Sequence, residues 1–434
     1  MMWPELDLLR GLAGLAMVVN HTAVGLVPAA ATGLIALPDA PLTMTPVQWA
    51  SFLGSFAPMI FFFITGVGYG LQARAGGVGR KPGLWSKAAV LVFADAMLWR
   101  VGGLWIGLDF FGFIALSMVL LGSLNRLDRR HAIVAVAALL AAVSVARYAA
   151  VPLAGRVLGP EAVGLVAQLT GHRAVSGISF PPMPWLGYPL AGFLVGAAAT
   201  ASAGFIDRRR VAVAAALLAA GAACLAAAAW FAAHGYPLHR WGRLAPSSYA
   251  AGFAVLAALL ALCLLVFPPR LGGAAGADGA AGSADRGPRP GFGLAVRGLS
   301  LRGVAAFAVV PLHFLAIDLA ELAGVATATA AGVFLACGIV AAFALGAAPL
   351  VMAAAERVRA HPRADAAWFV ALAAAAAALA AIGLPALRGP AGSAVASLGQ
   401  LALCLLLALP LPRLAQAREP SDSVPARDAA PAAR

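Results

Sequence analysis

Long apolar segments joined by short, arginine-bearing connections are what most limits this chain. A helix crossing a bilayer needs about 20 mostly apolar residues. Twelve segments read that way, near 8–28, 50–73, 84–101, 104–124, 131–152, 182–203, 211–233, 247–268, 301–323, 325–353, 366–387 and 393–412. Composition agrees: of 434 residues 62% are hydrophobic and 11% charged, against about 25% charged in an ordinary soluble domain. A soluble multidomain enzyme and a disordered chain are both excluded. The expected fold is an all-α integral membrane protein, a polytopic bundle of about 10–12 transmembrane helices.

The net charge of +13 follows from orientation rather than from nucleic acid. With the N-terminus placed in the cytoplasm, the inner connections collect Arg74, Arg80, Lys81 and Lys87, then Arg126, Arg129 and Arg130, then Arg208, Arg209 and Arg210. Arg270, Arg286, Arg289, Arg297 and Arg302 follow, and Arg357, Arg359 and Arg363 after them. This is the positive-inside pattern, and it predicts a multi-pass protein with a cytoplasmic N-terminus; the membrane is expected to be the plasma (inner) membrane. Residues 1–10 carry Glu5 and Asp7 and do not read as a cleavable signal. The four cysteines, Cys224, Cys263, Cys337 and Cys404, lie in apolar runs without metal-ligand or disulfide spacing. They are expected as buried free thiols, and no metal site is expected.

Residues 271–300 are rich in Gly, Ala, Arg and Pro and read as a flexible inner linker. The domain expectation is a functional membrane unit over 1–323 containing that linker. Additional helices over 324–412 and a disordered cytoplasmic tail over 413–434 complete it.

The first helix carries the chemistry. Leu6 to His21 holds Asp7, Arg10, Asn20 and His21, and ionisable residues inside a membrane mark function by default. Eleven residues are about three turns and rise about 16 Å. Arg10 and His21 therefore share a face, with Gly14 between them as a notch. Asp7 lies one turn before Arg10 and can pair with it. His313 lies at a similar depth in the ninth segment, so the two histidines can line one centre. Arg100 and Asp109 are expected to pair with each other.

The run Leu6-Asp7-Leu8-Leu9-Arg10-Gly11 followed by His21 resembles the opening of membrane-bound acyltransferases. An Arg, ten residues and a His is the signature of the acyltransferase-3 family. Phe56-Ala57-Pro58-Met59-Ile60-Phe61-Phe62-Phe63-Ile64-Thr65-Gly66, Pro184-Trp185-Leu186-Gly187-Tyr188-Pro189-Leu190-Ala191-Gly192 and Pro311-Leu312-His313 are similar to segments of the heparan-α-glucosaminide N-acetyltransferase-like group of bacterial proteins. The resemblance runs over about residues 5–320. It implies transfer of an acyl group, such as acetyl, from cytosolic acyl-coenzyme A to a hydroxyl or amine of an extracytoplasmic sugar or glycolipid.

On that reading His21, helped by Asn20 or His313, is the catalytic group, since histidine titrates near neutrality. Arg10, Asp7, Gly14, Arg74, Arg80 and Lys81 are expected at the coenzyme A site, where phosphates need cations. Trp185, His239, Arg240, Trp241 and Arg243 are expected at the acceptor side, aromatic rings stacking on the sugar. Membrane lipids are the remaining partner. The small-residue content of the helices also permits a homodimer. The alternative function is a transporter or flippase without acyl transfer, with Asp95, Asp318 and Glu321 forming a proton path.

Overall fold

The computed structural model describes residues 4–34, 43–73, 84–96, 108–171, 179–236, 238, 244–267, 299–300, 305–360, 370–371, 373–375, 377–378 and 389–408. Among them the chain is helical, without strands. In order these are α1 (Pro4–Leu26), α2 (Pro46–Gly54), α3 (Ala57–Gln72), α4 (Leu84–Ala96), α5 (Phe110–Leu124), α6 (Arg129–Val157), α7 (Pro160–Leu169) and α8 (Pro182–Trp185). Next come α9 (Gly187–Ala201), α10 (Ala203–Arg208), α11 (Arg210–Ala233), α12 (Pro246–Val266), α13 (Ala305–Leu322), α14 (Ala330–Ala360) and α15 (Pro390–Ala408).

Seven described stretches are long and apolar enough to span a bilayer: Glu5–Leu26, Pro46–Gln72, Arg210–Ala233, Pro246–Val266, Ala305–Leu322, Ala330–Arg357 and Pro390–Leu407. A bent pair, Arg129–Val145 with Ala149–Val157 at 79°, makes up to eight. The all-α polytopic membrane fold therefore stands. The described parts of the expected segments 84–101 and 104–124 form α4 and α5, residues 97–107 lying outside the described residues, and segment 182–203 divides into α8 and α9. Segment 366–387 lies largely outside the described residues, as do most of the 271–300 linker and the 413–434 tail.

One expected span is broken. Pro46–Gln72 divides at Ser55 and Phe56 because Pro58 sits in the first turn of α3. Proline has no N–H to give back to a preceding turn, but it suits the first turn of a new helix. Helix α2 starts with a capping box: Thr45 accepts from the Gln48 N–H, and the Gln48 side chain accepts from the Thr45 N–H. Asp128 caps α6 by accepting from the His131 N–H at 3.1 Å. A further bond to the His131 ring holds the exposed Asp128 carboxyl below its usual range.

The centre of the bundle is set by glycines. Gly66 and Gly70 on α3 face Gly192 and Gly196 on α9, a small-xxx-small pattern on both partners. A Cβ on Gly66 would sit 1.9 Å from the Pro189 carbonyl oxygen, and one on Gly192 would sit 2.0 Å from the Phe63 oxygen. Backbone meets backbone there, and only hydrogen fits. Around this crossing Phe62, Phe113, Phe180, Trp185 and Tyr188 interlock edge to face or tilted, with Phe62 and Phe113 centroids 4.3 Å apart.

Positive side chains close helix ends. Arg129 donates to the Ala197 carbonyl at the end of α9, and Arg210 donates to the Leu264 carbonyl near the end of α12. A cation at a helix C-terminus meets both free carbonyls and the negative end of the dipole. Of the four thiols expected to be buried and free, Cys263, Cys337 and Cys404 are so, while Cys224 is free but only partly buried. Cys404 approaches the Phe307 carbonyl at 3.8 Å. That carbonyl lies four residues before Pro311, which has no N–H to offer it.

Replacing Gly192 by Val should force α3 and α9 apart and lower the melting temperature of the detergent-solubilised protein, at a cost of about 1–3 kcal/mol. Gly338→Ala, where a Cβ meets nothing within 4 Å, should leave it unchanged or raise it. Equal melting of Gly192→Val and the wild type would contradict the crossing.

Candidate functional site

Helix α1 brings the sequence-predicted residues to two levels. At its N-terminal end Arg10 pairs with Asp7 at 2.5 Å, one turn away. Asp7 thereby fixes the guanidinium and neutralises part of the cost of holding it among helices. Beside Arg10 lies a cavity of about 360 Å³, lined also by Phe61, Ile64, Thr65, Gly68, Tyr69 and Gln72 of α3. Leu84 and Lys87 of α4, Ile114 and Met118 of α5, and Ala306 and Phe307 of α13 complete the wall.

The α3 contribution follows one helical stripe: 61, 64, 65, 68, 69 and 72 recur at three- and four-residue spacing. From Gln72 to Phe61 that stripe rises about 16 Å. The cavity thus joins two cations, a few hydroxyl and amide groups and an apolar interior. Such a lining suits a ligand with an anionic head and a slender, largely apolar arm.

Three turns beyond Arg10, His21 meets His313. His21 Nδ1 lies 2.8 Å from His313 Nε2. The ring of Phe314 stacks on His21 with centroids 4.9 Å apart. His313 is fully buried and its Nδ1–H donates to the Val309 carbonyl at 2.9 Å, while His21 is half-buried. The two histidines expected at one depth are therefore in direct contact, although 292 residues separate them. Phe307, in the cavity wall, lies about two turns of α13 before His313, a rise of about 9 Å.

Other expected residues are placed differently. Asn20 spends its amide on α2, donating to the Ser51 carbonyl at 2.8 Å, so that amide is engaged in holding α2 to α1. Gly14 is buried and is not part of the cavity wall; the open space lies against α3, α4, α5 and α13 instead. Trp185 is 2% exposed and its ring packs between Phe62, Phe180 and Tyr188. It belongs to the aromatic core and presents no face to a loop surface. Arg74, Arg80 and Lys81, and likewise His239, Arg240, Trp241 and Arg243, lie outside the described residues.

Sequence reading missed Thr65, Tyr69 and Gln72 as cavity residues. Their helical stripe was the available signal, but a stripe gives no direction until its neighbours are known. Two of the three acids of the expected proton path, Asp95 and Asp318, have local duties. Asp95, fully buried, accepts from the N–H groups of Asp109 and Phe111 at 2.8 and 3.0 Å. It satisfies orphan donors at the start of α5. Asp318 accepts from Ser397 at 3.4 Å, and Glu321 is exposed. Arg100, the expected partner of Asp109, lies outside the described residues. Among the described residues no group of three or more His, Cys, Asp or Glu is placed to hold a metal ion.

A sequence model of the family described as heparan-alpha-glucosaminide N-acetyltransferase, catalytic, matches residues 3–235, more than half of the chain. The chain belongs to this family. The heparan-alpha-glucosaminide N-acetyltransferase family implies an acetyltransferase enzyme, here built as an all-helical multi-pass membrane protein. Of the two groups the sequence resembles, it is this one that the comparison identifies, rather than acyltransferase-3. The matched residues hold Arg10, His21 and the α3–α9 crossing, while His313 comes from beyond them. No curated protein and no solved structure matches the chain.

Substituting Asp95 by Ala should leave two N–H groups of α5 without their acceptor inside the bundle, costing about 1–3 kcal/mol. A thermal melt of the purified protein measures this. A melting temperature equal to that of the wild type would show that Asp95 does not cap α5.

Proposed function

We propose that this protein transfers an acyl group, acetyl first among them, from acyl-coenzyme A to an amine or hydroxyl of an extracytoplasmic sugar or glycolipid. The observation that carries the reading is the arrangement on α1. Arg10 stands at a cavity suited to an anionic, slender donor, and His21 stands three turns further along the same face, joined to His313. The family name speaks of a glucosaminide, and an amino-sugar amine is accordingly the first acceptor class to test.

Arg10, oriented by Asp7, and Lys87 hold the phosphates of the donor; Arg74, Arg80 and Lys81, which follow α3 in the sequence, are part of the same proposal. The thioester arm runs into the apolar part of the cavity, toward Phe61 and Phe307. His21 takes the proton of the acceptor as its nitrogen or oxygen attacks the thioester carbonyl. A new C–N or C–O bond forms, the C–S bond breaks, and the proton passes to the leaving thiolate. The acceptor approaches from the far side; His239, Arg240, Trp241 and Arg243, between α11 and α12 in the sequence, belong to the proposal as its cations and aromatic faces. The N-terminus is cytoplasmic and the membrane is the plasma (inner) membrane, as the basic connections support. A transporter reading draws less support, because Asp95 and Asp318 have hydrogen-bonding duties of their own.

Single-turnover transfer from radiolabelled acetyl-coenzyme A, in detergent with glucosamine as acceptor, tests this. His21→Ala should lower the rate roughly 10²–10⁴-fold, the range for a lost acid–base group, with donor binding retained. Arg10→Ala should weaken donor binding about tenfold or more, as for a lost charge-assisted bond. A wild-type protein that neither binds acetyl-coenzyme A nor turns it over would overturn the reading.

A further inference from the structure

The hydrogen bonds around His21 have a direction, and that direction selects one nitrogen for the chemistry. Resting on the function proposed above, we propose that His313 is the positioning residue that holds His21 with Nδ1 protonated and Nε2 bare, so that Nε2 is the atom that takes the acceptor's proton.

A carbonyl oxygen has no hydrogen to give, so the 2.9 Å bond between His313 and Val309 requires the proton on His313 Nδ1. A neutral imidazole carries one N–H and leaves its other nitrogen as an acceptor. His313 is 0% exposed, and placing an isolated charge in such surroundings is costly, so its resting form is the neutral one. Its Nε2 is therefore a lone pair. His21 Nδ1 lies 2.8 Å from that lone pair, and two lone pairs at this distance repel, so His21 Nδ1–H is the donor. A general base starts neutral, and a neutral His21 with its one proton on Nδ1 leaves Nε2 bare.

Three features keep the chain in register. Val309 and His313 are one helical turn apart on α13, which fixes the first bond within a single element. Phe314, the next residue, stacks on His21 at 4.9 Å and restrains the plane of its ring. The rings of His21 and His313 lie edge to edge, 5.1 Å between centroids and 23° from parallel, so the N–H of one can point at the in-plane lone pair of the other.

During transfer the acceptor's nitrogen or oxygen forms its bond to the thioester carbon while His21 Nε2 receives the acceptor's proton. The His21 ring becomes an imidazolium, and the bond from its Nδ1–H to His313 Nε2 strengthens because the donor is now charged. The C–S electron pair goes to sulfur, and the Nε2 proton then goes to the thiolate. The products are the acylated acceptor and free coenzyme A thiol, and both histidines return to their starting forms. His313 neither gains nor loses a proton in the cycle.

The test separates orientation from activity. In protein labelled with ¹⁵N-histidine and carrying no donor, the two nitrogens of His21 should appear as one protonated pyrrole-type (Nδ1) and one bare imine-type (Nε2) signal, assigned by their loss in His21→Gln. In His313→Leu this preference should vanish and turnover should fall roughly 10²-fold or more, with KM for acetyl-coenzyme A within about twofold. His313→Gln, whose amide oxygen can accept from Nδ1–H, should restore both the His21 signals and most of the turnover; it also guards against mere misfolding of the Leu variant. A His21 that carries its proton on Nε2, or a His313→Leu protein that turns over like the wild type, would overturn the proposal. Predicted signals in a protein that transfers no acetyl group would leave the orientation standing and remove both the base role and the acyl-transfer function.

Discussion

Hydrocarbon offers no hydrogen-bond partners, so a polar group drawn into a membrane bundle has to find its partner within the protein. Much of this structure follows from that demand. Asp95 meets the open N-terminus of α5, Asn20 meets the Ser51 carbonyl, and Arg129 and Arg210 meet carbonyls at helix ends. The His21–His313 pair is the same device applied at the centre, with Val309 as its last acceptor. A histidine satisfied on one nitrogen only is held in place while the other nitrogen remains available, and the proposed chemistry uses that asymmetry.

Close packing makes the polar pairs possible. Lipid tails are as apolar as leucine, so helices in a membrane gain little from hydrophobic burial and associate through fit. The α3–α9 crossing, with glycines on both sides, draws the two helices to backbone contact. The same α3 turns its other stripe, from Phe61 to Gln72, toward the cavity beside Arg10. One helix thus anchors the bundle and shapes the cavity beside Arg10. The break at Ser55–Phe56 above α3 has a local cause in Pro58, and the shorter α2 that results is the element Asn20 holds against α1.

Much of this was legible in the sequence, for physical reasons. Apolar runs of spanning length identify the fold class because the bilayer sets the length. The three-turn spacing of Arg10 and His21 places them on one face because the helix repeat is fixed. Matching depth in two helices anticipated that His21 and His313 would be neighbours. What local pattern does not carry is direction between helices. Gly14 looked like a notch, yet the open space lies against α3, and only the packing of α3, α4, α5 and α13 decides that. Trp185 read as an acceptor-side aromatic, whereas Phe62, from a distant part of the chain, joins its sequence neighbours Phe180 and Tyr188 to bury it. Asp95 read as a buried charge in search of a function, and its partners were backbone groups that no side-chain pattern announces.

The central claim is that one site on α1 joins a donor on one side of the membrane to an acceptor on the other. The most direct test reconstitutes the protein in sealed vesicles of known orientation, with labelled acetyl-coenzyme A only at the Arg10 end and an amino-sugar acceptor only in the opposite compartment. The account predicts labelled acceptor in that opposite compartment, with none formed by His21→Ala. Labelled acceptor appearing only when donor and acceptor share a compartment would contradict it.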